Sequence, residues 1–194
     1  MPKEGVFIIE SLTLEDEKQN RYEGKFISQI LNLGGISSEY YYIRTLKEFI
    51  KIIEKFKESE YRYLHISCHG TSASIETTID SINFEEFGKI VGPNLKNKRL
   101  FISACSAVNR KLANQIFPFY HCYSLMGFDK DIYFNDAAIT WASLYHLIIP
   151  IDKMKTDYIS ETTKKLSELY KVPINFFKQN RMLKSQYNLK QFKI

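Results

Sequence analysis

The chain has 194 residues, of which 44% are hydrophobic and 25% charged, with 13 Tyr, 14 Phe and three Cys. That length suits one compact domain with a sizeable core; no apolar run approaches the roughly 18 residues that span a bilayer, and no charged n-region precedes an apolar segment at the N-terminus, so the expectation is a cytosolic (cytoplasmic) protein. The formal charge of +5 is gathered at the end: from 171 to 194 there are six basic residues (Lys171, Lys178, Arg181, Lys184, Lys190, Lys193) and no acidic ones, which leaves 21 basic against 22 acidic residues before them.

In chain order, Val6-Phe7-Ile8-Ile9-Glu10-Ser11 opens on a short apolar run and reads as a first strand buried on both faces. The polar stretch from Leu12 to Tyr22 predicts a loop or a helical lead-in. Phe26, Ile30 and Leu33 then recur at helical spacing until Gly34-Gly35 stops the helix. Tyr40 to Arg44 is the second strand, and Leu46, Phe49, Ile50, Ile53 and Phe56 line one face of the helix after it. Two further apolar runs end on reactive side chains: Tyr63-Leu64-His65-Ile66-Ser67-Cys68-His69-Gly70, and Arg99-Leu100-Phe101-Ile102-Ser103-Ala104-Cys105-Ser106-Ala107. Between them, Ser74 to Ile82 alternates like a small hairpin and Asn83 to Ile90 reads as a crossover helix.

A helix from about Asn109 to Phe117 stops near Pro118, and His121 to Met126 forms a fifth strand. Phe134 to Ile149 is a helix bounded by Asn135 or Asp136 and by Pro150, and Thr156 to Tyr170 is another. Ile174 to Ile194 alternates weakly and reads as a terminal hairpin or a docked extension. The expected organisation is a single domain over 1–194, with a core of about 1–150 followed by a C-terminal helix and basic extension over 151–194. Alternation of strands and helices argues for α/β architecture: a mostly parallel sheet with helices on both faces and right-handed crossovers.

The chemistry sits at two strand ends. Parallel neighbours need a crossover of about a dozen residues, which Thr71 to Lys98 supplies, so His69 and Cys105 fall side by side at the carboxyl edge where open α/β folds bind ligands. An imidazole beside a thiol serves nucleophilic catalysis: it keeps the thiolate accessible near neutral pH and hands a proton to the leaving group. Taken singly, Cys105 reads as a buried core thiol; the small residues Ser106 and Ala107 after it, and His69 before Gly70, favour the catalytic reading. The three cysteines, an odd number, argue for free thiols in a reducing compartment rather than a disulfide framework.

A strand ending in Ser-x-His-Gly (Ser67 to Gly70) followed by one ending in Ala104-Cys105 resembles the caspase-like (clan CD) cysteine peptidases, especially the bacterial CHAT-type and related small caspase-like proteins. Tyr123 to Phe128, followed by Asn135-Asp136-Ala137-Ala138 and a helix carrying Trp141 and Tyr145, looks like the region after the nucleophile strand in that group. The resemblance covers roughly residues 1–150. It implies a three-layer sandwich with strand order about 2-1-3-4-5, a small β-insert between strands 3 and 4, and a His69–Cys105 dyad with no third member. It also implies an oxyanion hole formed by the backbone N–H groups of Gly70 and Cys105, and places Ser103 at the pocket for the residue preceding the cut. Relatives often act as effectors in bacterial defence or programmed cell death, with an activating or regulatory protein partner.

Asp129 and Asp136 are the carboxylates that would make that pocket acidic; each also reads plainly as a loop carboxylate and a helix cap. A catalytically silent module that binds protein partners shares the same fold. No metal and no cofactor are expected: Cys68 and His65 point to opposite strand faces, and there is no paired Cys-x-x-Cys. His121, Cys122 and His146 are expected in or near the core. The basic tail over 171–194 is the one segment suited to nucleic acid, although a solvated extension explains it more simply.

Overall fold

The computed structural model describes residues 3–150 and 155–192; Lys193 of the basic tail lies outside the described residues. Strand β1 (Lys3–Glu10) leads through a five-residue helix α1 (Leu14–Lys18), capped by the Thr13 side chain, into α2 (Glu23–Leu33). Then come β2 (Ser38–Tyr42), α3 (Leu46–Glu58) and β3 (Tyr61–Ser67). Thr45 and Glu48 close a capping box at the start of α3, the reciprocal arrangement that satisfies two orphan N–H groups.

The crossover holds β4 (His69–Gly70), β5 (Ser74–Glu76) and β6 (Ser81–Asn83), followed by α4 (Phe84–Val91), which Asn83 caps. Strand β7 (Lys98–Ser103), α5 (Arg110–Ile116), β8 (Cys122–Phe128), α6 (Phe134–Ile148), α7 (Thr156–Tyr170), β9 (Ile174–Gln179) and β10 (Tyr187–Phe192) complete the chain.

The main sheet has the order β10-β9-β8-β7-β3-β1-β2, and β4-β5-β6 form a separate small antiparallel sheet. Pairs from β2 through β8 are parallel, whereas β9 is antiparallel to β8 and to β10. The expected order of five strands is present, with the small insert between its third and fourth members. Ile174 onward takes the hairpin form, so the sheet runs on past residue 150.

Alternating side chains divide the interior into two layers. Phe7, Ile9, Leu64, Ile66, Leu100, Ile102 and Leu125 face α3, α4 and α5 through Phe49, Phe56, Phe87 and Leu112. Val6, Ile8, Tyr63, Phe101, Met126 and Phe128 face α2, α6 and α7 through Ile27, Trp141 and Ile159. Burial on both faces is why these strands read as unbroken apolar runs. Gly127 permits the tight fit of β8 against β7: a Cβ there would lie 2.3 Å from the Ile102 carbonyl oxygen and from Val108 Cγ2.

Helix α2 corrects the expected face. Phe26 and Leu33 are 40% and 85% exposed, while the buried stripe is Glu23, Gly24, Ile27, Ser28 and Leu31. The stripe carries a charged, a small and a polar residue, which conceals its periodicity. Glu10, itself fully buried, accepts from the backbone N–H groups of Gly24 (2.6 Å) and Lys25 (3.2 Å) and from the Tyr40 hydroxyl (2.7 Å). It thereby satisfies two open N–H groups at the N-terminus of α2 from the end of the strand beneath it. Burial pushes its carboxyl up to about 7 against those hydrogen bonds. Among the described residues, no helix is long and apolar enough to cross a membrane.

Trp141, fully buried on α6, packs at ring-centroid distances of 5.4 Å from His65, 5.9 Å from Phe101 and 5.2 Å from Phe128, behind the two strands that end at the cleft. Trp141→Ala is expected to lose about 3–5 kcal/mol of stability, the usual cost of emptying a large aromatic site. Trp141→Phe is expected to lose much less, because the indole N–H has no hydrogen-bond partner among the described residues to forfeit. Urea unfolding of the two variants checks the ranking, and equal losses would contradict it.

Candidate functional site

Strands β3 and β7 pair in parallel with Ser67 opposite Ser103, and the Cys68 N–H donates to the Ser103 carbonyl at 3.0 Å. The ladder thus runs up to the residues just before His69 and Cys105. His69 begins the small sheet, opposite Glu76, while Cys105 lies in the turn after β7. Ser106 adopts φ 55°, a left-handed conformation that bends the chain directly after the cysteine. Asn109 binds the two segments together: its Nδ2 donates to the carbonyls of Ser106 (3.0 Å) and Ser72 (3.2 Å), and its Oδ1 caps α5 by accepting from Lys111 and Leu112.

Both side chains line one open cleft of about 340 Å³, together with Glu23, Cys68, Ser103 and Phe134. His69 and Cys105 are half-buried, and Cys105 Sγ lies 3.9 Å from the Ile132 carbonyl oxygen. Gly70 sits where a Cβ would approach the Ala104 and Ala107 methyls to 3.0 and 3.2 Å, so the absence of a side chain lets the histidine segment close against the cysteine turn. Cys105 donates no backbone hydrogen bond to a described carbonyl. Burial, reinforced by Glu23, pushes the Cys68 thiol up, and burial pushes Cys122 up to about 12, which disfavours the thiolate at both.

Ser103 lines the cleft and donates to Glu23 Oε2 at 3.0 Å. Asp129 instead accepts from Asn175 at 2.7 Å and borders a separate depression with Asn109 and Arg110. Asp136 lies in the first turn of α6 and accepts from Asn135 at 2.9 Å; neither carboxylate is among the residues lining the cleft. Cys122 is buried as expected, but His121 and His146 are exposed, and Arg181 donates to His121 at 2.9 Å.

Two carboxyl groups at the site have no signal in the sequence. Glu23, 5% exposed, lies at the inner end of the cleft with its Oε1 3.6 Å from His65 Nε2. Burial raises Glu23 to about 8 against hydrogen bonds from Ser103 and Ser67, and burial lowers His65 to about 3. The distance would fit an ion pair, but with both groups sealed from water we read it as a neutral acid facing a neutral imidazole. Asp16, from α1, meets His69 Nε2 at 2.7 Å. Both stand far from the dyad in sequence, in segments whose polar residues resemble any solvated turn.

No family model matches the chain, and no curated protein matches it. Among solved structures, it is similar to a secreted C11 cysteine protease from Bacteroides thetaiotaomicron, with TM-score 0.60, 10% identity, and coverage of 92% of this chain and 67% of that one. It is also similar to an inactive zymogen of a C11 protease from Parabacteroides distasonis, with TM-score 0.61, 12% identity, and coverage of 92% and 63%. The chain therefore has the caspase-like fold of clan CD cysteine peptidases; the likeness does not single out the CHAT-type branch.

Proposed function

We propose that this chain is a cysteine endopeptidase that cleaves a protein partner, with Cys105 as nucleophile and His69 as proton carrier. The observation that carries the reading is the opening of both side chains on one cleft, from adjacent strand ends of a caspase-like sheet. In the reaction, the Cys105 proton passes to His69 and the thiolate sulfur bonds to the peptide carbonyl carbon. The backbone N–H groups of Gly70 and Cys105 hold the resulting oxyanion. As the C–N bond breaks, His69 returns the proton to the departing amine; water then attacks the thioester, releasing the new carboxyl terminus and restoring the thiol.

Ser103 borders the pocket for the residue preceding the cut, and activation by a second protein belongs to the same proposal. A role in bacterial defence or programmed death is carried by the sequence resemblance. Competition among the three thiols tests the reading. Iodoacetamide at pH 7 is expected to modify Cys105 well before Cys68 and Cys122, followed by peptide mass mapping. Equal rates would favour a silent binding module.

A further inference from the structure

We propose that Asp16 is the third member of this site, a positioning residue that fixes the ring of His69 and supports its positive charge. The inference rests on the reading of His69 as the proton carrier. A carboxylate accepting at Nε2 selects the neutral tautomer protonated on that nitrogen, which leaves Nδ1 as the basic atom for the thiol proton. When that proton arrives, Asp16 faces the imidazolium across 2.7 Å.

The carboxylate is itself held. Asp16 is 6% exposed, and its Oδ2 accepts from the Thr13 hydroxyl at 2.5 Å while its Oδ1 accepts from Arg21 Nη1 at 3.0 Å. Phe134 closes a ring of contacts: its face lies edge-on to the His69 imidazole at 5.7 Å, and the Arg21 guanidinium sits 5.7 Å above it. The imidazole is thus confined by a charge at one nitrogen and an aromatic wall beside it. Burial alone would raise the Asp16 carboxyl, but hydrogen bonds from Thr13, His69 and Arg21 outweigh it and hold the group below the usual carboxylate range. A negative charge is therefore retained at the place where the imidazolium forms.

Single-variant alkylation measures this without a known substrate. With iodoacetamide at pH 7, His69→Ala and Asp16→Asn are each expected to slow modification of Cys105 about tenfold, since both remove support for the thiolate–imidazolium pair. Asp16→Glu is expected to recover most of the rate, a rescue that a purely structural role for the side chain's shape would not give. Melting curves accompany each variant; if Asp16→Asn does not fold, Thr13→Val, which loosens the carboxylate by removing one of the two hydrogen bonds on the oxygen that meets His69, is expected to slow the reaction about threefold. A wild-type rate in folded Asp16→Asn, beside a slowed His69→Ala, overturns the role of Asp16 alone. A wild-type rate in His69→Ala overturns the dyad, and this proposal with it.

Discussion

Cys105→Ala is expected to eliminate every new protein N-terminus generated by the wild-type chain, while leaving the melting curve in place. The two halves of the expectation have different origins. Loss of cleavage is complete because, in the proposed mechanism, the Cys105 sulfur forms and breaks the bond to the substrate, while burial pushes Cys122 up to about 12 and Cys68 is raised by burial and by Glu23. Retention of the fold follows from how little the thiol supports. It is half-buried, with one 3.9 Å contact to a carbonyl, and the turn around it is held by backbone and by Asn109. Removing such a group costs on the order of 0.5 kcal/mol or less. N-terminal labelling of proteomes from cells expressing each form reads out cleavage. Termini that persist in the alanine variant would belong to another enzyme and remove the basis for the assignment.

The second large effect concerns Glu23 and pH. In the unfolded chain its carboxyl loses its proton around the ordinary value of 4.5, whereas in the folded protein burial delays that loss to about 8. Across that window the folded state binds one proton more than the unfolded state, so stability falls as pH rises, by on the order of 1 kcal/mol per pH unit from this group. Glu23→Gln removes the slope, and its stability relative to wild type is expected to rise from pH 5 to pH 8. His65 acts in the opposite sense. Lowered to about 3 from 6.5, its imidazole stays neutral in the folded state and withdraws stability as pH falls through that range. Urea titrations at pH 5, 6, 7 and 8 give the difference, and parallel curves would mean that Glu23 is ionised in the folded state.

The elements that the chain announces most clearly are those whose physics is local. β1, β3 and β7 are buried on both faces and so appear as continuous apolar runs, and their ends carry His69 and Cys105 in plain view. Helix α4, capped by Asn83, is legible for the same reason, whereas α6 starts at Phe134 without a side-chain cap and is legible by its length and its stop before Pro150. Helix α2 is not, because a buried Glu23, supported by Ser103 and Ser67, interrupts its apolar stripe. Asp16 is hidden differently: only the pairing of β1 with β3 brings α1 to His69, 53 positions away, and nothing in Leu14–Lys18 marks one acid among three. Asp129 and Asp136 follow β8 in the chain, and their side chains accept from Asn175 and Asn135.

The register of β3 against β7 also separates two kinds of change open to this molecule. Because the proposed pair follows directly on the β3–β7 ladder in mid-sheet, its spacing is set by the backbone hydrogen bonds that end at Cys68. The wall at Ile132, in contrast, belongs to the loop over 129–133 between β8 and α6. Under the proposed function, residues of that loop can be exchanged to retool which polypeptide enters without renegotiating the distance across which the proton travels.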